Sequence, residues 1–341
     1  MTAYFIRRLL LVIPTFIGIT IMVFAITRFV PGGPIERIIS DTRALQTGHA
    51  SSNTTGSGGG QPLSEEQLQK LKAYYGFDKP VLTSYLIWLG KVLKGDLGQS
   101  TRYYDPVWDM ISERIPISLY FGILSLIMIY GVCIPLGMAK AVRHKTGFDN
   151  ITSIIIFMGY AIPGWVAGVL MLVLFASKYD VFPLGGLVSE LFEQMNPVEK
   201  IMDIAWHTLL PLFSYVIGSF TVMTLLMKNT LMDSLSSDYI RTAIAKGLPF
   251  KKAIWHHAMQ NSLIPIATSF GNNISILLMG SFLIEKVFNI NGMGLLGYES
   301  ILDRDYPVVM GILVISSLLF MIGNILSDVC VAIVDPRVRF K

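Results

Sequence analysis

The sequence predicts an all-α fold, a polytopic membrane protein of six transmembrane helices with an external loop domain. Of its 341 residues, 52% are hydrophobic and only 15% charged, and the mean hydropathy is +0.57. An average soluble domain carries about 25% charged residues, so lipid is read as the main solvent of this chain. Six windows of roughly 20 mainly apolar residues, the length that crosses a bilayer, fall at 9–30, 117–139, 151–176, 205–227, 263–287 and 307–333. Each is read as a helix, because an open sheet leaves backbone polar groups unsatisfied in hydrocarbon.

The first window follows Arg7 and Arg8, a signal-like layout. Its apolar run is long enough to span and no small-residue cleavage site closes it, so residues 1–30 are read as a short stub and a retained first span. Residues 31–116 form a loop segment. Within it, 40–62 is rich in Gly, Ser and Thr and nearly free of apolar residues, which predicts a flexible insert. Asn53-Thr54-Thr55 there matches a glycosylation acceptor by chance composition. The stretch SEEQLQKLKAYYG, with Ser64 as N-cap and Gly76 as stop, predicts a short amphipathic helix. A second is predicted over 80–95, where Leu82, Tyr85, Leu86, Leu89, Val92 and Leu93 recur at helical spacing. These helices fit either a small cap packed on the membrane domain or a surface for a partner. Residues 117–333 are the core of five spans, and 334–341 a tail. Pro14, Pro135, Pro163 and Pro211 lie inside spans, where each frees a carbonyl that a neighbour or water must satisfy.

Basic residues set the orientation. Thirteen Lys/Arg fall in the termini and short loops on one side (Arg7, Arg8, Lys140, Arg143, Lys145, Lys228, Arg241, Lys246, Lys251, Lys252, Arg337, Arg339, Lys341), and three on the other (Lys178, Lys200, Arg304). The positive-inside bias therefore predicts cytoplasmic termini and an external 31–116 segment, whose nine Lys/Arg do not count because long loops translocate largely regardless of charge.

Residues 236–262 then lie in the cytoplasm. SSDYIRTAIAKG offers Ser237 or Asp238 as N-cap and Gly247 as stop, and Pro249 suits the first turn of a second helix. Phe250, Ile254, Trp255, Ala258 and Met259 recur at helical spacing, while Lys251, Lys252, His256 and Gln260 face elsewhere. A short tethered knob with an apolar face suits a groove on a cytoplasmic partner protein.

RTAIAKG followed by HHAMQNSLIP resembles the cytoplasmic EAA loop of ABC importer permeases, in its dipeptide/oligopeptide version. The family pattern is Glu-Ala-Ala, three residues and Gly, then Ile-x-Leu-Pro. Here Arg241, Thr242 and Ala243 hold the first positions, Gly247 is the glycine, and Ile264-Pro265 comes several residues late. YFIRRLLLVIPT, PGGPIE, RIPISL, GYAIPGW, FNINGMGLLGYESILDRDYPVVMG and VDPRVRF extend the resemblance over nearly the whole chain. The glycine-rich insert, PGGPIE and NINGMGLLGYE look most like the Yej-type branch, associated with peptides and the peptide-nucleotide microcin C. The resemblance implies a type I importer permease fold and a pore-forming subunit of the bacterial inner membrane working by alternating access. It also implies a second permease, two cytoplasmic ATPases that hold the ATP and Mg, a periplasmic or lipid-anchored solute-binding protein, and a peptide substrate. On this reading Tyr239, Arg241, Thr242, Ala243, Lys246, Gly247, His257 and Ala258 couple the chain to the ATPases, Ala243 and Gly247 being the close-packing and turn residues. No cofactor and no nucleic acid are expected on the chain itself, whose other neighbour is membrane lipid.

The residues agree that ATP chemistry belongs elsewhere, since no G-x-x-x-x-G-K-[ST] loop occurs. No catalytic Ser/His/Asp, His-Glu-x-x-His or paired-carboxylate set stands out either. His144, His256 and His257 lack metal geometry, and Cys133 and Cys330 are expected to be buried small hydrophobes. The rival reading is an ATP-independent secondary transporter or channel, which leaves the paired cytoplasmic helices unexplained. Polar side chains inside a span default to function. Asn272, Asn273, Ser275, Ser281 and Glu285 in the fifth window are candidates for the substrate path. The alternative is helix–helix hydrogen bonding, with Gly271 and Gly280 allowing close approach. Asn324 and Asp328 carry the same two readings. Lys228, His207 and Glu285 lie near span ends and are expected to snorkel. Asp303, Arg304 and Asp305 form either a docking loop for the binding protein or a solvated turn.

Overall fold

The computed structural model describes residues 2–29, 69, 78–278 and 280–334. The glycine-rich insert, the Asn53 motif, PGGPIE, the helix expected after Ser64 and the tail beyond Val334 lie outside the described residues. Every long element is a helix: α1 (Thr2–Phe29), α2 (Val81–Val92), α3 (Val107–Val142), α4 (Gly147–Ala161), α5 (Gly164–Met171, continued by a π-helical stretch Leu172–Lys178) and α6 (Pro197–Ser236). Then come α7 (Asp238–Ala245), α8 (Phe250–Ala253, continued by π turns Ile254–Ala258), α9 (Met259–Leu278), α10 (Phe282–Val287), α11 (Met293–Leu302) and α12 (Tyr306–Val334).

Four of the helices are long and apolar enough to cross a membrane: α1 over Ile6–Ala25, α3, α6 and α12. The window 151–176 is not one straight helix. α4 and α5 meet at 93°, because Ile162 is extended (φ −100°, ψ 118°) before Pro163, as the pyrrolidine ring requires of its predecessor. Pro14, Pro135 and Pro211 stay inside unbroken helices. The window 263–287 is also divided. α9 ends at Leu278, Ser281 is extended (φ −129°, ψ 105°), and α10 begins afresh. Among the described residues four helices, or five if the bent pair counts as one, are long and apolar enough to cross a membrane, so the expected count of six transmembrane helices is not confirmed.

The chain forms two compact units. The larger comprises residues 1–10, 114–296 and 318–341. Its centre is α6, which packs on α4, α5 and α9. Three apolar clusters follow α3 and α6 from one end to the other: Phe121 with Leu210, Ile129 and Cys133 with Leu212, Val216 and Met223, and Ala141 with Met227 and Leu231. At Gly137 the two helices approach so closely that a Cβ would lie 2.7 Å from the Met227 side chain. α9 meets α12 in the same way at Gly271, where a Cβ would overlap the Gly323 carbonyl, and Ser327 Oγ donates to the Thr268 carbonyl (2.7 Å). Arg8 and Asp328 pair at 2.5 Å, so Asp328 joins α1 to α12. Cys133 is buried, but Cys330 is partly exposed, unlike the expectation for both.

The smaller unit comprises residues 11–113 and 297–317. α2 rests on α1 through Phe24, Tyr85 and Trp88, with Thr20 and Tyr85 hydroxyls 3.0 Å apart. Only part of its expected stripe is covered: Tyr85 and Val92 are buried, whereas Leu82, Leu86 and Leu93 are exposed. Asp305 is buried, so it is neither a docking nor a solvated residue. It accepts from Ser100 Oγ and from the Thr101 N–H (3.0 Å), while Asp303 pairs with Arg102.

Candidate functional site

The basic knob is built on a buried foot. α7 ends in a Schellman turn: Gly247 N donates to the Ile244 carbonyl (2.9 Å) and Leu248 N to that of Ala243 (3.1 Å). Gly247 has φ +92°, a conformation that costs a side-chain-bearing residue roughly 1–2 kcal/mol. We expect Gly247→Val to lower the melting temperature of the purified protein and Gly247→Asn to do so less, since Asn tolerates the left-handed region better. Ser237 stands at the N-cap position of α7, but its hydroxyl donates back to Ser234 and caps nothing. Pro249 is the cap residue of α8 (ψ 139°), one place before the first turn.

The expected apolar stripe divides in two. Ile254 and Ala258 turn inward with Ile240 and Ala253, and all four are at most 5% exposed against Met227 and Leu231. Ser262 fixes this foot, donating to the Ala258 carbonyl at 2.7 Å and lying 3.0 Å from Ser234 Oγ. Phe250 and Trp255 face outward at 50% and 56% exposure, and Tyr239 and Ile244 are exposed as well. Ile254–Ala258 forms short π turns, and successive helical residues point about 100° apart, so Trp255 faces out while Ile254 faces in. Of the coupling candidates, Tyr239, Arg241, Thr242, Lys246, Gly247 and His257 are exposed, Ala243 is half-buried, and Ala258 belongs to the foot. The exposed residues of the knob thus include aromatic rings together with Arg241, Lys246, Lys251 and Lys252.

Next to the foot lies a charge cluster that sequence reading missed. Lys140 of α3 is fully buried. Its Nζ is 3.0 Å from Asp149 Oδ1 and donates to the Asp149 carbonyl, Thr152 Oγ1 and Ser153 Oγ, each at 2.8 Å. Lys228 of α6 donates to both Asp149 oxygens at 2.8 Å, so it is held rather than snorkelling. His144 Nδ1 stands 3.4 Å from the same carboxylate, and no metal-holding group occurs among the described residues. The only sequence signal was an acidic residue in an otherwise basic connection.

The polar residues of the fifth window part company. Asn273 Nδ2 donates to the Tyr130 hydroxyl (3.0 Å), a helix–helix bond between α9 and α3. The side chains of Asn272 and Ser275 lie outside the described residues. Glu285 is 1% exposed and does not snorkel. Its Oε1 accepts from the Tyr215 hydroxyl (3.2 Å) and its Oε2 from the Leu295 N–H (2.7 Å), with Gly280 and Gly292 pressed against the carboxyl. His207 is likewise buried, its Nδ1 2.9 Å from the Asp203 carbonyl.

Of the candidates whose side chains are described, only Ser281 lines a cavity of about 290 Å³, with Gly164, Trp165, Ser214, Tyr215, Gly218, Ser219, Gly280 and Ile284. The breaks after α4 and α9 make it. Gly164 sits so close to the Ser214 carbonyl that no Cβ fits, which seats the start of α5 on α6. The Ser281 N–H donates to the Tyr215 hydroxyl (3.2 Å), which seats the start of α10 beside it. Sequence reading quoted GYAIPGW and overlooked SYVIGSF, whose Ser214, Tyr215 and Ser219 were visible as polar residues inside an apolar window.

Comparison with known proteins gives concordant matches. The family described as "Binding-protein-dependent transport system inner membrane component" matches residues 131–340. The chain is 40% identical to the peptidoglycan transport system permease protein YejB of Agrobacterium fabrum, covering 100% of this chain and 99% of the relative. It is 39% identical to the inner membrane ABC transporter permease protein YejB of Escherichia coli O157:H7, and 31% identical to the dipeptide transport system permease protein DppB of Escherichia coli K12, each over the full length of both chains.

Proposed function

Because this chain belongs to the binding-protein-dependent transport system inner membrane component family, we propose that it is the pore-forming subunit of an ATP-driven importer of peptides or peptide conjugates. It is a multi-pass inner-membrane protein. The substrate class rests on relatives whose names specify peptidoglycan and dipeptide transport. Both termini and the α7–α8 knob lie in the cytoplasm, as the thirteen-to-three distribution of basic residues argues. Hydrolysis occurs on two separate ATPase subunits, and a second permease and an external solute-binding protein complete the assembly.

The observation that carries this reading is the knob. Four large apolar side chains, Tyr239, Ile244, Phe250 and Trp255, stand exposed on a segment whose opposite face is locked into the foot. Exposed aromatic and apolar residues on a rigid support mark a protein contact. Tyr239, Arg241, Thr242, Lys246, Gly247 and His257 form or flank that contact, Ala243 supports its turn, and Ala258 anchors it. Movement of the ATPase groove is transmitted through the foot to α3, α6 and α9, which tilts the spans between inward- and outward-open states.

Native mass spectrometry of the tagged chain extracted in mild detergent tests the reading. The expected particle holds a second permease and two ATPases. A lone chain or a homo-oligomer, under conditions that keep other ABC complexes intact, rejects it in favour of an ATP-independent carrier. The double variant Phe250→Ala/Trp255→Ala is expected to lose the ATPases at least tenfold in co-purification while retaining the second permease.

A further inference from the structure

The cavity between α5, α6 and α10 has a chemistry that the coupling mechanism does not use. Among the described residues no ionisable side chain other than the Tyr215 phenol lines it. That phenol is already committed, donating to Glu285 and accepting from the Ser281 N–H. The hydroxyls of Ser219 and Ser281, by contrast, have no hydrogen-bond partner among the described residues. Ser214 Oγ donates to the Leu210 carbonyl (3.0 Å) and the residue is buried, so its hydroxyl stays with the wall. Trp165 and Ile284 add apolar surface. A volume of about 290 Å³ lies just below that of drug-sized ligand sites, which run from about 300 to 1,000 Å³. It holds a piece of a peptide, one or two residues long, rather than a whole oligopeptide.

We infer that this cavity is a subsite for the neutral backbone of a passing peptide, with Ser219 and Ser281 pairing with its amides and Trp165 with Ile284 covering one side chain. Hydroxyls both donate and accept, so they match N–H and C=O alike. A wall without fixed charge does not select among charged side chains, as a conduit for varied sequences requires. This assignment rests on the importer reading for its biological role, but not for binding itself.

One position makes the inference testable without damaging the fold. Gly218 lies on the cavity wall in the middle of α6, and a Cβ placed there meets nothing within 4 Å. A Cβ at Gly218 therefore strikes nothing; Gly218→Leu is expected to carry its longer side chain into the cavity, and alanine or leucine in place of a helical glycine favours the helix.

The experiment uses the full complex carrying Ser219→Cys, with Cys133 and Cys330 replaced by alanine. Modification of the new thiol by a small methanethiosulfonate reagent is timed with and without tri-alanine. Tri-alanine is expected to slow labelling at least fivefold, and free alanine to leave it unchanged. Adding Gly218→Leu is expected to abolish protection, and in the otherwise native complex to cut peptide uptake at least tenfold, with subunit masses unchanged. Gly218→Ala keeps at least half the uptake. Labelling that ignores tri-alanine overturns the subsite, as does normal uptake by Gly218→Leu. Loss of the second permease from the Gly218→Leu complex also overturns it, because the cavity is then a permease–permease contact. Protection without ATP-dependent uptake supports the subsite and counts against the importer reading.

Discussion

Replacing Asp149 by asparagine is expected to destabilise the protein by roughly 3–5 kcal/mol, the usual cost of removing one partner from a buried ion pair. Asp149 is 3% exposed and is the only carboxylate that Lys140 or Lys228 meets among the described residues. Asparagine keeps the shape and one acceptor, but leaves the buried Lys140 ammonium and the largely covered Lys228 ammonium against a neutral amide. Lys140 cannot swing out, since it is wholly buried and pinned by the Asp149 carbonyl, Thr152 and Ser153. Thermal melting in detergent reads the effect directly. The triple variant Lys140→Met/Asp149→Leu/Lys228→Met removes all the charge and should recover most of the lost stability, because apolar groups of similar volume often replace buried ions at no net cost. A triple variant as unstable as Asp149→Asn would mean that hydrogen-bond geometry, not unpaired charge, is what the cluster supplies.

The triple variant also separates stability from transmission. The cluster ties α3, α4 and α6 together directly beside the foot that carries the knob. Charge-assisted hydrogen bonds have fixed directions, whereas hydrophobic contact is non-directional. An apolar replacement therefore holds the helices together yet resists sliding less. On the importer reading, fewer peptides should move per ATP hydrolysed even when the triple variant melts normally.

What the sequence made legible follows from the range of each interaction. Long apolar windows and the Lys/Arg asymmetry are sums over many residues, so α1, α3, α6 and α12 appear where hydropathy places them. The turn at Gly247 was legible because a Schellman stop is encoded within a few residues. The break at Pro163 was not distinguishable from Pro14, Pro135 or Pro211. All four disturb a helix locally, but only Pro163 is followed by a glycine seated on the Ser214 carbonyl, a contact with a residue 50 positions away. The window 263–287 concealed its interruption because apolar residues continue on both sides of Gly280, so hydropathy merges α9 and α10. Partners distant in sequence were the least legible of all. Nothing near Asp328 points to Arg8, nothing near Asp305 points to Ser100, and nothing near Glu285 points to Tyr215. The rule that polar residues in spans are functional singles out candidates, but it could not say which of them bind the protein's own chain.

Glu285 shows why that distinction matters, and its substitution is expected to have the second large effect. Each carboxyl oxygen serves a different donor: Oε1 takes the Tyr215 hydroxyl and Oε2 the Leu295 N–H at the start of α11. Glutamine has a single carbonyl oxygen and an NH₂ group, so Glu285→Gln satisfies one donor and opposes the other. Alanine satisfies neither and leaves a void. A buried donor without a partner costs about 1–3 kcal/mol, so the expected order of melting temperatures is wild type, then Glu285→Gln, then Glu285→Ala, with losses of roughly 2 and 4 kcal/mol. If Glu285 instead served mainly as a substrate contact, both variants would melt like the wild type and differ only in transport. The loss is also expected to spread locally. Tyr215 receives the Ser281 N–H that seats α10 beside the cavity, so freeing its hydroxyl loosens that wall. Hydrogen exchange should therefore rise at Ser281–Val287 and around Leu295 in Glu285→Ala, while the foot at Ile254–Ala258 keeps its protection. Exchange that rose equally at the foot would mean that the two ends of the larger unit unfold together rather than as separate clusters.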